Sequence, residues 1–225
     1  LPVLSFLVSV TALALLWIPL LATVDTTGLG DDQGETDPAL LIAGVASILL
    51  LSVIGVFFKG ALVAGAHERL SGGDPTVRSA LSRAIARIGG LLPWALLAGT
   101  VGLVLSALKG RAGRAGRFAV GLIGMAWETA SYLVIPAIVV DDHRAISGLK
   151  ASAALLKRTW GENLAARVGF GLLGVLAMLP AVIVVAVAGT VGLVVAVPWV
   201  ALAVVVLTAL GAVFQTALYL YATTG

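Results

Sequence analysis

Long apolar runs separated by short polar ones set the pattern of this chain. Six runs, at 1–24, 39–58, 91–108, 118–140, 165–187 and 193–221, come close to the roughly 20 residues that a helix rising about 1.5 Å per residue needs to cross a bilayer. Two shorter stretches, 75–88 and 143–160, have a different rhythm. In the first, Val77, Leu81, Ile85 and Ile88 recur at helical spacing with Arg83 and Arg87 off that face. In the second, Ile146, Leu149, Ala153, Leu156 and Trp160 recur with Lys150, Lys157 and Arg158 off it. That is the pattern of a basic amphipathic helix resting on an anionic membrane surface. The chain is therefore predicted to be all-α, a polytopic transmembrane helical bundle of six spans with basic amphipathic interfacial helices.

The punctuation fits this layout. Gly72-Gly73-Asp74-Pro75 breaks the chain and restarts it as a helix, Asp being a favoured cap and Pro a favoured first residue. Gly89-Gly90 turns that helix into the third span, and Asp141 or Asp142 is placed to cap the second amphipathic helix, which Gly161 ends. From 168 to 225 there is no charged residue, so spans five and six divide only at the small-residue turn near Gly189-Thr190. Pro198 is expected to interrupt the sixth span, and Tyr219 and Tyr221 to form an aromatic belt at its end. The first run is too long for a signal-peptide core and lacks a basic leader, so it is read as a span, with residues expected upstream of Leu1.

Charge orients the bundle. The loop 25–38 carries Asp25, Asp31, Asp32, Glu35 and Asp37 with no basic residue, which places it outside, with both termini in the cytoplasm. Lys59 follows the second span and is expected to snorkel to the inner headgroups. The loop 109–117 conflicts with this topology, because Lys109, Arg111, Arg114 and Arg117 give it four positive charges and no acid on the outer side. It is kept outside as a frustrated exception, re-entrant third and fourth segments being the alternative. Lys59, Arg83, Arg87, Lys109, Arg111, Arg114, Arg117, Lys150, Lys157 and Arg158 are the expected lipid-headgroup contacts.

Composition agrees. Hydrophobic residues make up 60% of the chain and charged ones 11%, with a mean hydropathy of +1.11, against about 25% charge in a soluble domain. One transmembrane domain, 1–225, accounts for the whole length. A net charge of +3 with its cations beside apolar runs gives no case for nucleic acid, and the absence of cysteine removes disulfides and thiolate chemistry. The preference for Arg and Ala over Lys and Ile fits a GC-rich bacterial genome, hence a bacterial inner membrane.

One unit recurs: amphipathic helix, break, span, outside loop, span. Residues 74–140 form one copy and 142–225 another, while 1–59 looks like a copy without its amphipathic helix. Each copy has two spans, so the repeat is parallel, about an axis along the membrane normal. Small residues such as Gly121, Gly124, Gly171 and Gly174 are expected at close helix approaches.

Glu128 is the carboxylate inside an apolar run. A charge near mid-bilayer costs between roughly 2.5 and 10 kcal/mol, so the group is expected to be neutral, paired or facing a wet cavity. Glu128, with Trp127, Thr129, Tyr132 and Gln215, is the candidate intramembrane polar site. Either it hydrogen-bonds a neighbouring helix, through a group such as Thr129, Ser131 or Gln215, and fixes register, or it lies in a translocation path. No phosphate-binding Gly-rich loop, zinc-protease His pair or nucleophile elbow is present, so no catalytic residue, cofactor or metal is expected. His67 and His143, each with acids beside it, are read as solvated inner-face residues, and Glu162 with Arg167 as an interfacial pair.

Trp127-Glu128, then 135–141 (Ile-Pro-Ala-Ile-Val-Val-Asp), Leu149-Lys150-Ala151-Ser152, and 157–163 (Lys-Arg-Thr-Trp-Gly-Glu-Asn) resemble a bacterial family of uncharacterised six-span integral membrane proteins. That family is similar in layout to the membrane domain attached to some glycerophosphodiester phosphodiesterases. The resemblance covers nearly the whole chain and implies no activity. The expected function is non-enzymatic: a scaffold, assembly or accessory subunit acting through anionic lipid and a membrane-protein partner or second copy. The rival is a small transporter or channel with Glu128 in its path.

Overall fold

In the computed structural model, residues 1–23, 38–158 and 160–224 are described, without the side chains of 157–168 and 170. The acidic loop, Lys157, Arg158, Trp160 and the Glu162–Arg167 pair fall outside that description. Within it the regular elements are helical: α1 (Pro2–Thr23), α2 (Pro38–Leu70), α3 (Val77–Ala86), α4 (Ile88–Arg111), α5 (Arg114–Ala130), α6 (Val134–Asp141), α7 (Ala145–Arg158), α8 (Trp160–Ala188) and α9 (Leu193–Thr224). Five stretches are long and apolar enough to cross a membrane: Pro2–Ala22, Pro38–Leu70, Ile88–Arg111, Arg114–Asp141 and Gly171–Thr224. The last of these doubles back. A 3-10 turn at Gly189–Gly192 contains Gly189 at φ +56°, and a Cβ on Gly192 would stand 2.6 Å from the Val184 carbonyl. Trp199 Nε1 donates to the Ala177 carbonyl at 2.8 Å, so α8 and α9 pack as an antiparallel hairpin.

The spine is α2, and small residues let its neighbours approach. Toward its far end Ala61, Val63 and Ala64 are buried, and Gly60 faces Leu91 of α4 so closely that a Cβ would lie 2.9 Å from a Leu91 methyl. Higher up, Ser52 donates to the Ala95 carbonyl at 2.7 Å beside Gly99, where a Cβ would meet Ser52 at 3.0 Å. On another face Trp17 of α1 donates to Ser47 at 2.8 Å. These are the close approaches and interhelical polar bonds that hold helices together where lipid removes the hydrophobic drive.

Several boundaries differ from the sequence reading. The amphipathic helix α3 is capped by Thr76, not Asp74, because only Thr76 has a reciprocal partner three residues on: Ser79 N–H donates to Thr76 Oγ1, and Thr76 N–H to Ser79 Oγ, both at 3.0 Å. The corner after α3 falls at Arg87, and Gly89-Gly90 lie inside α4, where Gly90 serves packing instead of turning the chain. The apolar positions of α3 divide between two faces. Ala80 and Ala84 are buried toward α2, while Val77 and Ile85 stay exposed. The basic loop shrinks to Ala112-Gly113, since α4 runs to Arg111 and α5 starts at Arg114. Pro198 does not interrupt α9, which runs through it from Leu193 to Thr224, although it has no N–H to offer the Val194 carbonyl. Asp142 is left-handed, φ 58°, and terminates α6 instead of capping α7. Of the glycines expected at close approaches, Gly121, Gly171 and Gly174 have nothing within 4 Å of a built Cβ, and Gly124 only Leu105 at 3.9 Å.

Candidate functional site

The stretch Arg114–Asp141, which holds the span expected at 118–140, is broken. Residues 131–133 form a turn between α5 and α6, about 12 Å of helix from the Asp141 end. Pro136 explains the position. It has no N–H to offer the Tyr132 carbonyl four residues earlier, and its ring crowds that carbonyl. Shorter bonds carry the chain round, with Tyr132 N–H donating to Thr129 O and Val134 N–H to Ser131 O, both at 3.2 Å.

Two distant side chains complete the backbone of the break. Gln215 of α9 donates through Nε2 to the Tyr132 carbonyl, the acceptor that Pro136 cannot serve. Ser152 of α7 accepts from Leu133 N–H at 3.0 Å and donates to the Ala130 carbonyl at 2.6 Å. Both side chains are buried, Ser152 at 0% exposure and Gln215 at 1%. Unsatisfied backbone groups cost several kcal/mol each in hydrocarbon, and a broken transmembrane helix persists where neighbouring side chains meet them. Ser152 and Gln215 do this here.

Around this backbone α6 is enclosed. Val134 to Val139 are all buried, against Ala61, Ala64, Leu91 and Trp94 on one side and Leu218 and Tyr219 on the other. Two glycines permit the fit. A Cβ on Gly90 would lie 2.7 Å from Ile138 and 2.9 Å from the His143 carbonyl, and one on Gly148 would lie 3.4 Å from Ile138 and Val134. The end of α6 is tied from two directions: Tyr219 donates its hydroxyl to Asp141, and Arg87 pairs with Asp142. Gln215 and Tyr219, four apart on α9, thus grip the two ends of one short helix.

Of the predicted polar site, the structure brings together Tyr132 and Gln215, through the Tyr132 carbonyl. Trp127 stacks on Trp94 with ring centroids 5.8 Å apart, and Thr129 donates to the Met125 carbonyl of its own helix at 2.6 Å. Glu128 is exposed on α5, and Ser131 donates to its backbone carbonyl at 3.3 Å. Between Glu128 and Gln215 lies the turn at 131–133, and Gln215 is engaged by the Tyr132 carbonyl that the proline frees.

The basic residues also separate. Arg83 pairs with Glu68 at 3.6 Å, where Glu68 also accepts from Ser79 at 3.1 Å, and Arg87 holds Asp142. Lys109, Arg111, Arg114, Arg117 and Lys150 are exposed. Lys59 does not lie at a helix end, because α2 continues to Leu70. It is half-buried and lines a cavity of about 550 Å³ between α1, α2 and α9, with Tyr132 and Gln215 of the break on the same wall system. Among the described residues no group of three or more His, Asp or Glu side chains could hold a metal ion, and His67 and His143 are not joined in one.

Ser152 is the buried polar residue of the break that the sequence reading passed over. The signal was the small-residue face Ala145, Gly148, Leu149, Ser152 and Leu155, at spacings of three and four, whose members are buried or half-buried in α7. The larger apolar residue Ile146, placed on the face by the earlier pattern, is exposed.

A profile of a family of unknown function, DUF6159, matches residues 42–225, and the chain belongs to that family. No curated protein and no solved structure matches the chain.

Proposed function

For this member of the DUF6159 family we propose a non-enzymatic role in the membrane: a six-span scaffold or accessory subunit, with both termini on the cytoplasmic side of a bacterial inner membrane. The observation that carries it is the use of the buried polar side chains. Ser152 and Gln215 are spent on the backbone of the break, and Glu128 is exposed on the outer side of α5. The α8–α9 hairpin, counted as two, supports six spans. The parallel repeat is part of the same reading, with α3 and α7 as its interfacial helices. Basic residues and exposed apolar ones such as Ile85 and Ile146 on those helices suit contact with anionic lipid, worth about 1 kcal/mol for each cation near the surface.

A second reading is favoured by a specific observation. A span broken well inside the membrane, beside a cavity, is the arrangement that transporters use for substrate. On that reading the cavity beside Tyr132, and not Glu128, is the path. The two are separated by water access. Ser9→Cys and Thr208→Cys, both on the cavity wall, are treated with a membrane-impermeant thiol reagent in sealed vesicles of either orientation. The scaffold reading expects no labelling from either side, and labelling from both sides replaces it with transport. Tags at residues 72, 113, 145 and 225 test the span count, those at 72, 145 and 225 being expected inside and that at 113 outside.

A further inference from the structure

Uncharged polar groups without partners gather around the cavity between α1, α2 and α9. Hydroxyls on these helices commonly return to their own backbone, as Ser47, Thr100 and Thr216 do by donating to the carbonyls of Ala43, Leu96 and Ala212. Ser5 and Ser9 of α1 and Thr208 of α9 do not. Among the described residues their hydroxyls meet no partner, and all three line the cavity. Gln215 adds a buried acceptor to the same lining. Its Nε2 is spent on the Tyr132 carbonyl, which fixes the orientation of the amide, and no group among the described residues donates to its Oε1. The residue is 1% exposed, so that oxygen has lost its water without gaining a donor, which is costly. The volume, about 550 Å³, lies within the roughly 300–1,000 Å³ of small-molecule sites. Water alone is a poor filling: each buried water needs about two to four polar partners, and Phe6, Phe58, Leu62 and Val204 offer none.

We propose that this cavity binds an uncharged bilayer lipid with a free hydroxyl, a diacylglycerol, whose O–H donates to Gln215 Oε1 and whose ester carbonyls accept from Ser5, Ser9 and Thr208. One donor and two carbonyls answer one open acceptor and three open hydroxyls. The ligand is neutral because the open polar groups are neutral; Lys59 lines the same space but is already engaged. A phosphatidylcholine brings the same carbonyls and no O–H, so it leaves Gln215 Oε1 without a donor. Depth fits a lipid that lacks a headgroup and so sinks below the phosphates, since Ser5 and Ser9 stand about 5 and 10 Å along α1 from Pro2. Room for the glycerol comes from Gly55 and Gly211, which line the cavity with nothing within 4 Å of a built Cβ. A second cavity of about 430 Å³ shares Pro2 and Leu62 with the first and continues the apolar surface for an acyl chain. This inference rests on the membrane-spanning reading but not on the scaffold role.

The test uses the full chain in phosphatidylcholine nanodiscs, photo-crosslinked with a diacylglycerol that carries a diazirine in one acyl chain and mapped by mass spectrometry. Adducts are expected on α1, α2 and α9 at the cavity, displaced by dioleoylglycerol but not by its methyl ether, which keeps the chains and carbonyls and loses only the O–H. Ser5→Ala with Ser9→Ala should weaken binding about three- to tenfold, the fold-change of losing one neutral hydrogen bond. These hydroxyls hold no neighbour, so the melting temperature should not change. Gly211→Leu fills the cavity from a position with nothing within 4 Å of its Cβ and should abolish labelling of the folded protein. Absence of saturable labelling, which leaves water as the filling, would overturn the proposal. So would equal displacement by the methyl ether, unchanged affinity in the folded double-alanine variant, or undiminished labelling of folded Gly211→Leu. Thiol access from the two sides of the membrane, which separates scaffold from transport, is read independently of all of these.

Discussion

α5 and α6 are consecutive halves of one apolar stretch, and the fold treats them in opposite ways. Along α5 only Val120 is buried, and Phe118, Leu122, Ile123 and Met125 face outward. Along α6 every residue from Val134 to Val139 is enclosed by protein. Hydrophobicity does not distinguish them, because in a membrane an apolar side chain is at home against lipid or against protein. What distinguishes them is the state of the backbone. α5 satisfies its own hydrogen bonds up to its last turn and so can stand in lipid, whereas the break that joins it to α6 needs Ser152 and Gln215 and is therefore surrounded by the helices that carry them. Burial here follows from a polar debt in the main chain, not from the oiliness of the side chains.

The sharpest contrast comes from glycines. Gly90→Leu places a side chain against Ile138 and the His143 carbonyl, which cannot withdraw, and is expected to destabilise by about 3 kcal/mol. Gly121→Leu on α5 meets nothing within 4 Å and should leave stability within about 0.5 kcal/mol of the parent. Thermal unfolding in detergent compares the two; equal losses would remove the distinction between the halves. Next, Ser152→Ala strips a partner from both Leu133 N–H and Ala130 O and should cost about 2 kcal/mol. Thr129→Val, whose hydroxyl only returns to its own helix at Met125, should cost less than about 0.5 kcal/mol in the same assay.

A smaller effect sharpens the cause. Gln215→Leu removes the side-chain bond to the Tyr132 carbonyl and is expected to cost about 1 kcal/mol, within the range of measured intramembrane hydrogen bonds. Pro136→Ala restores an N–H near that carbonyl. The double variant should lose less than the sum of the single variants, by about 0.5 kcal/mol or more, which a double-mutant cycle reads directly. Strict additivity would mean that Pro136 is not what opens the carbonyl. Smallest of all, Glu128→Gln, on the exposed side of α5, should melt within about 0.5 kcal/mol of the parent. A large loss would place a structural ion there and bring the two halves closer in character.

The apolar runs made the helices legible, because length and hydropathy alone decide whether a segment can cross a bilayer. The turn at Gly189 was legible too, since a glycine between two charge-free runs has little other use. Faces were harder to read. In a soluble protein the large apolar residues point inward, but Val77, Ile85 and Ile146 are exposed here and Ala80, Ala84, Gly148 and Ser152 are buried. The inward signal in this chain is smallness. Glu128 drew attention through its charge, while the break in the span is held by uncharged groups: a proline that removes a donor, and a serine and a glutamine that answer it. Pro136 and Gln215 were each visible, but their pairing depends on α9 lying beside α6, which no local pattern states.

That pairing also fixes an order of events as the chain is made. Ser152 lies 19 residues beyond Leu133 and is at hand as soon as α7 follows, but Gln215 lies 83 residues beyond Tyr132, near the end of the last helix. The fourth apolar stretch is thus inserted before the residue that completes it exists. Until α9 arrives, Gln215 cannot reach the Tyr132 carbonyl, so the break is completed last, by the final helix.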